Sequence, residues 1–152
     1  MRHPLHPAFV HFPIAAWSFA TAADLAGAWI DPSWWTCAGW LHVAGTTTAL
    51  AAMATGAIEF VKLPADSPAA KFVARHMVFV LLAWFAYATS LVLRVHDSAL
   101  HAPAAASLAT SVAGFVLLCV AGWLGGNLVY RHGVGVRESG IASCPRESGD
   151  TQ

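Results

Sequence analysis

The chain reads as an all-α, polytopic membrane protein, an antiparallel bundle of four transmembrane helices. Three observations predict this. The 152 residues are 57% hydrophobic and only 11% charged, against about 25% charged in an ordinary soluble domain. The mean hydropathy of +0.59 does not suit a water-facing surface. The apolar residues also fall in four blocks, each near the roughly 20 residues that cross a bilayer core as a helix. The alternating pattern of a membrane barrel is absent.

The first span is expected over Phe12–Ile30. Pro7 and Pro13 stand at its start, where a missing N–H is tolerated or bends the backbone. Asp31-Pro32-Ser33 ends it, and Trp29, Trp34, Trp35 and Trp40 cluster there as an interfacial aromatic belt. The second span, Cys37–Phe60, carries the stripe His42, Gly45, Ala49, Ala52, Gly56, Glu59, small in the middle and ionisable at both ends. Small residues let helices approach closely in lipid, so this face is expected to be buried.

The prolines of Leu63–Pro68 mark a turn. The third span, Phe72–Leu93, has its most polar face along His76, Val80, Ala83, Tyr87, Ser90 and Arg94. Arg94–Pro103 is expected as a loop holding His96 and His101. The fourth span, Ala104–Tyr130, contains Gly122 and Gly126 at close-packing spacing, suited to the monomer core or to a homodimer. Residues 1–136 form the membrane domain, and 137–152 are expected as a disordered tail.

With four spans, Arg2, Lys62, Lys71, Arg75, Arg131, Arg137 and Arg146 share one side, and Arg94 alone lies towards the other. The positive-inside rule makes both termini cytoplasmic. Formal net charge is zero, which gives no reason to expect a nucleic-acid partner. Cys37, Cys119 and Cys144 form no Cys-x-x-Cys, so a zinc ribbon and covalent haem attachment are not indicated.

The ionisable residues sort by depth. His11, Glu59, His76 and His132 fall in one cytoplasmic layer, one from each helix. Asp24 lies about 20 Å deeper at 1.5 Å per residue, and His42 lies near the far face too. Neutral imidazole ligates haem iron and divalent metals, and bundles hold cofactors between facing helices. His11 with His76 is the expected axial pair of a haem b, with His132 and Glu59 beside it. His42 with His96 would be a second pair. His11, Glu59 and His76 could instead hold zinc or iron(II). The plain structural reading is that these histidines are interfacial, that His3, His6 and His101 are solvated, and that Asp24 and Glu59 pair locally. No serine–histidine–acid set shares one depth, so hydrolysis is not expected.

His-Pro-x-x-Val-His-Phe-Pro-Ile (His6 to Ile14) and Gly-Gly-x-Leu-Val-Tyr-x-His-Gly-Val-Gly-Val (Gly125 to Val136) resemble the two ends of a bacterial four-span membrane family, a domain of unknown function. The resemblance covers roughly residues 3 to 136 and implies residence in the bacterial inner membrane. Glu59-Phe60 stands where members often have Asp-Trp. Some relatives are joined to cytochrome c or Rieske domains, which implies a redox setting and redox proteins as partners. The function expected is a haem-binding electron-transfer or membrane-anchor subunit. The alternatives are a metal-binding or ion-handling protein and an accessory subunit that holds no cofactor.

Overall fold

The structure, a computed structural model, describes residues 5–64 and 66–134. Its elements are α1 (His6–Phe9), α2 (His11–Trp29), α3 (Trp34–Val61), α4 (Ala70–Val92), a hairpin of β1 (Val95–His96) and β2 (Ala99–Leu100), and α5 (Ala105–His132). α3, α4 and α5 are long and apolar enough to cross a membrane. α2 is 19 residues long but is not one of these, since His11, Pro13, Thr21 and Asp24 dilute its apolar content.

The helix ends follow from local chemistry. Val10 is a turn residue between α1 and α2, next to the carbonyl that Pro13 leaves without an N–H partner. The Ser33 N–H donates to Asp31 Oδ1 at 2.7 Å, an Asx-type turn that leads into α3. α5 stops at Gly133, whose φ of 61° is the left-handed cap that glycine adopts without strain. There the Val134 N–H reaches back to the Leu128 carbonyl at 3.1 Å.

One expectation is corrected. Part of the Arg94–Pro103 segment, expected as a plain loop, is a short two-stranded antiparallel hairpin, pairing Val95 with Leu100 and His96 with Ala99, in a chain that is otherwise built of helices. Asp97 and Ser98 both take positive φ, 49° and 60°, as a two-residue loop of matching twist requires. The His101 N–H also donates to the Arg94 carbonyl at 2.8 Å, which fixes the backbone where Arg94 turns inward.

α2 packs mainly on α3 and α4 on α5, with lesser contacts of α3 on α4 and α2 on α5. The core is small. Trp17 stacks on Tyr87 at 4.7 Å between centroids and 6° between planes. Gly45 presents its bare backbone to the Trp17 ring and Gly114 does so to Tyr87; a Cβ at either position would collide. Ala49 completes the cluster. Such a stack adds about 0.5–1.5 kcal/mol beyond area burial. Trp17 is thus a core residue, whereas Trp29, Trp34 and Trp40 are exposed as a belt requires.

Candidate functional site

Lipid tails are as apolar as leucine, so polar groups buried between helices carry much of the specificity of a membrane fold. Here they converge on Asp24. Its Oδ1 accepts from Arg94 Nη1 and its Oδ2 from Arg94 Nη2, both at 2.9 Å. The fork-to-fork geometry is that of a charge-assisted pair. His42 Nε2 lies 3.0 Å from the same Oδ2. All three side chains are fully buried.

The rest of the site saturates the arginine and runs inward. Arg94 Nη2 also donates to Ser90 Oγ and Ser107 Oγ at 3.1 Å, and its Nε to the Ser90 carbonyl. Ser111 Oγ is 3.4 Å from His42 Nε2 and 3.2 Å from Thr21 Oγ1. Thr21 Oγ1 is 2.9 Å from Tyr87 Oη, which also donates to the Trp17 carbonyl. Residues from all four long helices join one hydrogen-bonded chain. Trp35, from the expected belt, donates from Nε1 to the Asp24 carbonyl.

The carboxylate settles the His42 tautomer. An ionised Asp24 only accepts, so Nε2 carries the hydrogen and Nδ1 carries the lone pair. That Nδ1 is buried and has no hydrogen-bond partner. Buried polar atoms without partners are rare, and this one can accept a proton or a donor hydrogen.

The other layer of ionisable residues, expected towards the cytoplasm, is looser. His11 is exposed. His76 is half-buried, with Nδ1 2.9 Å from the Ala121 carbonyl. Glu59 accepts from the His6 N–H through Oε1 at 3.3 Å. His6, expected as solvated, is half-buried, with Nδ1 2.8 Å from the Ala52 carbonyl. His132 is the last residue of α5; its side chain lies outside the described residues, as does the 137–152 segment. His96 is exposed beside His101, with ring centroids 5.9 Å apart, and not beside His42. No three His, Cys, Asp or Glu side chains group as metal ligands among the described residues. His11, Glu59 and His76 therefore do not form a three-ligand set here.

The sequence reading sets His42 and Asp24 towards one face but pairs His42 with His96, and it does not join either to Arg94. Two signals point to it. Arg94 continues the polar stripe of the third span, and in the expected topology it alone among the basic residues lies towards the far side, as Asp24 does.

Neither the curated proteins nor the solved structures gave a match. The family model described as predicted membrane protein (DUF2231) matches residues 2–138, and its description agrees with three helices of membrane-crossing length and composition. The chain belongs to this family of predicted membrane proteins of unknown function.

Proposed function

We propose that the protein is a four-span, ion-handling protein of the bacterial inner membrane, whose Asp24–His42–Arg94 centre takes up and releases a proton within the bilayer. The observation that carries this reading is the buried, unpartnered Nδ1 of His42, on a ring whose Nε2 is held by Asp24. Histidine is the side chain that titrates near neutrality, and ionisable groups inside membranes commonly mark proton relays.

Several features support α2 as a fourth, antiparallel span. Asp24, near the end of α2, meets His42, near the start of α3, and Arg94, at the end of α4, meets Ser107, near the start of α5. Burial of Arg94 removes the one basic charge from the far face. Lys62, Lys71, Arg75 and Arg131 stay exposed at the other, in favour of cytoplasmic termini.

The chemistry is a relay through one ring. A proton arriving at Nδ1 makes an imidazolium whose charge faces Asp24. Loss of the Nε2 proton to Asp24 Oδ2 then restores a neutral ring of the other tautomer. Arg94 keeps its two bonds to the carboxylate and limits how long that acid stays protonated. The hydroxyls of Ser111, Thr21 and Tyr87 each donate and accept, so they offer a continuation towards the middle of the helices.

Gly122 and Gly126 face open space, which favours their use in contact with a second copy over use in the monomer core. The haem b reading, and the zinc or iron reading, attach to the cytoplasmic layer and its redox partners.

Proteoliposomes with a trapped pH dye test the relay. Under a potassium diffusion potential, the wild type should admit protons faster than empty vesicles. His42→Gln, which keeps a donor for Asp24 and cannot titrate, should return the rate to the empty-vesicle level. Equal rates for wild type and empty vesicles, or for wild type and variant, would reject the proposal and leave the network as a structural clamp.

A further inference from the structure

The cytoplasmic layer holds a second pair of prepared imidazoles. The Nδ1 of His6 and the Nδ1 of His76 each face a backbone carbonyl, Ala52 at 2.8 Å and Ala121 at 2.9 Å. A carbonyl only accepts, so both rings carry their hydrogen on Nδ1 and their lone pair on Nε2. This is how metal-bound histidines are commonly oriented, with the distal nitrogen donating to a carbonyl and the other free to ligate.

The plain alternative is that each ring satisfies a carbonyl freed by a break in a helix. The helices do not support it. Ala52 lies inside α3 and Ala121 inside α5, and both helices run on uninterrupted for more than a turn. These carbonyls already accept within their helices, so the extra bond serves the imidazole and fixes its tautomer.

Both rings are also fitted into glycine notches. A Cβ at Gly56 would lie 3.0 Å from His6 Cε1, and one at Gly125 would lie 3.2 Å from His76 Cε1. Gly56 is five residues before the end of α3, His76 six after the start of α4, and Gly125 seven before the end of α5. At 1.5 Å per residue all three lie about 8–10 Å from the same helix ends. The two rings are near enough for a charge on one to oppose a charge on the other, and the bond from the His6 N–H to Glu59 helps hold α1 in place.

We propose that the Nε2 atoms of His6 and His76 together ligate one transition-metal centre, either a bare copper ion or the iron of a haem. Imidazole suits both, and two histidines at one depth can supply the protein ligands of either. His11, five residues further along the same motif, is exposed and takes no part.

The test compares the wild type with His6→Gln, His76→Gln and His11→Gln, purified in mild detergent after expression with ample haem supply and, separately, after loading with copper. Metal content and oxidised and reduced visible spectra are read on each. The result expected is one metal centre per chain, kept in His11→Gln and weakened in the other two. The loss should be at least the roughly 10–100-fold that removal of a supporting group costs a metal site. A Soret band identifies the haem source, and stoichiometric copper without one identifies the ion. Loss in His11→Gln with retention in His6→Gln would overturn the assignment, as would a wild type that binds neither. Should the glutamine variants fail to fold, ¹⁵N spectra of the metal-free wild type decide. Both rings should be protonated on Nδ1 and bare on Nε2, and the reverse tautomer at either would refute the pair.

Discussion

The Asp24–Arg94 pair invites a double-mutant cycle. Asp24→Asn keeps the shape of the carboxylate and an oxygen for His42 Nε2, but it leaves a fully buried guanidinium without its counter-charge. Arg94→Gln leaves the carboxylate with His42 as its one remaining strong partner. Breaking a buried pair from one side costs about 3–5 kcal/mol, a large part of the roughly 5–15 kcal/mol that holds a typical domain folded. Both contacts are 2.9 Å and bidentate, so the upper half of that range is expected. The double substitution leaves two neutral amides within reach of each other, of Ser90 and of Ser107. Its cost should fall well short of the summed singles, about 8–10 kcal/mol, with a coupling of at least ~3 kcal/mol. Reversible unfolding in mixed micelles, followed by tryptophan fluorescence, measures all four corners. Single losses below about 1 kcal/mol, the range of exposed pairs, would refute the claim that this pair is dry and strong. So would additive costs.

Three further outcomes follow from the same geometry. Tyr87→Phe keeps the stack on Trp17 and loses the hydroxyl bonds to Thr21 and the Trp17 carbonyl, so it should cost about 0.5–1.5 kcal/mol in the same unfolding assay; a neutral result would mean the hydroxyl is solvated. Gly45→Ala pushes a methyl into the Trp17 ring and should cost about 1–3 kcal/mol, whereas Gly126→Ala, with nothing within 4 Å, should leave the monomer unchanged in thermal unfolding. A periplasmic reporter inserted between Asp97 and Ser98 should be active, and a cytoplasmic reporter fused at the C-terminus should fluoresce. The opposite pattern would invert the topology.

The sequence carried depth well and azimuth poorly. On α3 the stripe from His42 through Gly45, Ala49 and Ala52 is buried as its small residues imply, and on α4 the buried Ala83, Tyr87 and Ser90 all fall on the polar stripe. Both follow from helical period and side-chain size. Which stripe faces which is set by packing between helices, and no single helix encodes that. Asp24 and Arg94 meet inside the bundle, yet Arg94 lies past the end of α4, where the polar stripe of the third span runs into the expected loop. Its long side chain folds back to Ser90 and reaches Asp24, as arginine near a span end can do when its partner is inside. His6 was hidden for a different reason. It precedes the expected first span and so reads as solvated, but Pro7 is permitted in a first helical turn, and α1 begins at His6.

The division of the polar residues into two layers has a physical consequence. Between them lie Trp17, Tyr87, Ala49 and the half-buried Trp84 and Leu118, a band that offers few groups to solvate a charge. An ion cannot cross such a band bare at modest cost, so each layer must do its work locally or pass protons through hydroxyls. The Tyr87–Thr21–Ser111 chain enters the band from the Asp24 side. Trp17 Nε1 donates to Thr46 Oγ1, and Trp84 Nε1 donates to the Thr46 carbonyl, on the other side of the stack. Trp17 Nε1 is a donor only, so protons that pass this band must use the hydroxyls beside the ring and not the ring itself. The arrangement therefore favours a protonatable centre at one end of the bundle and a ligand-ready histidine pair at the other, linked at most by proton transfer through hydroxyls, over an open pore for bare ions.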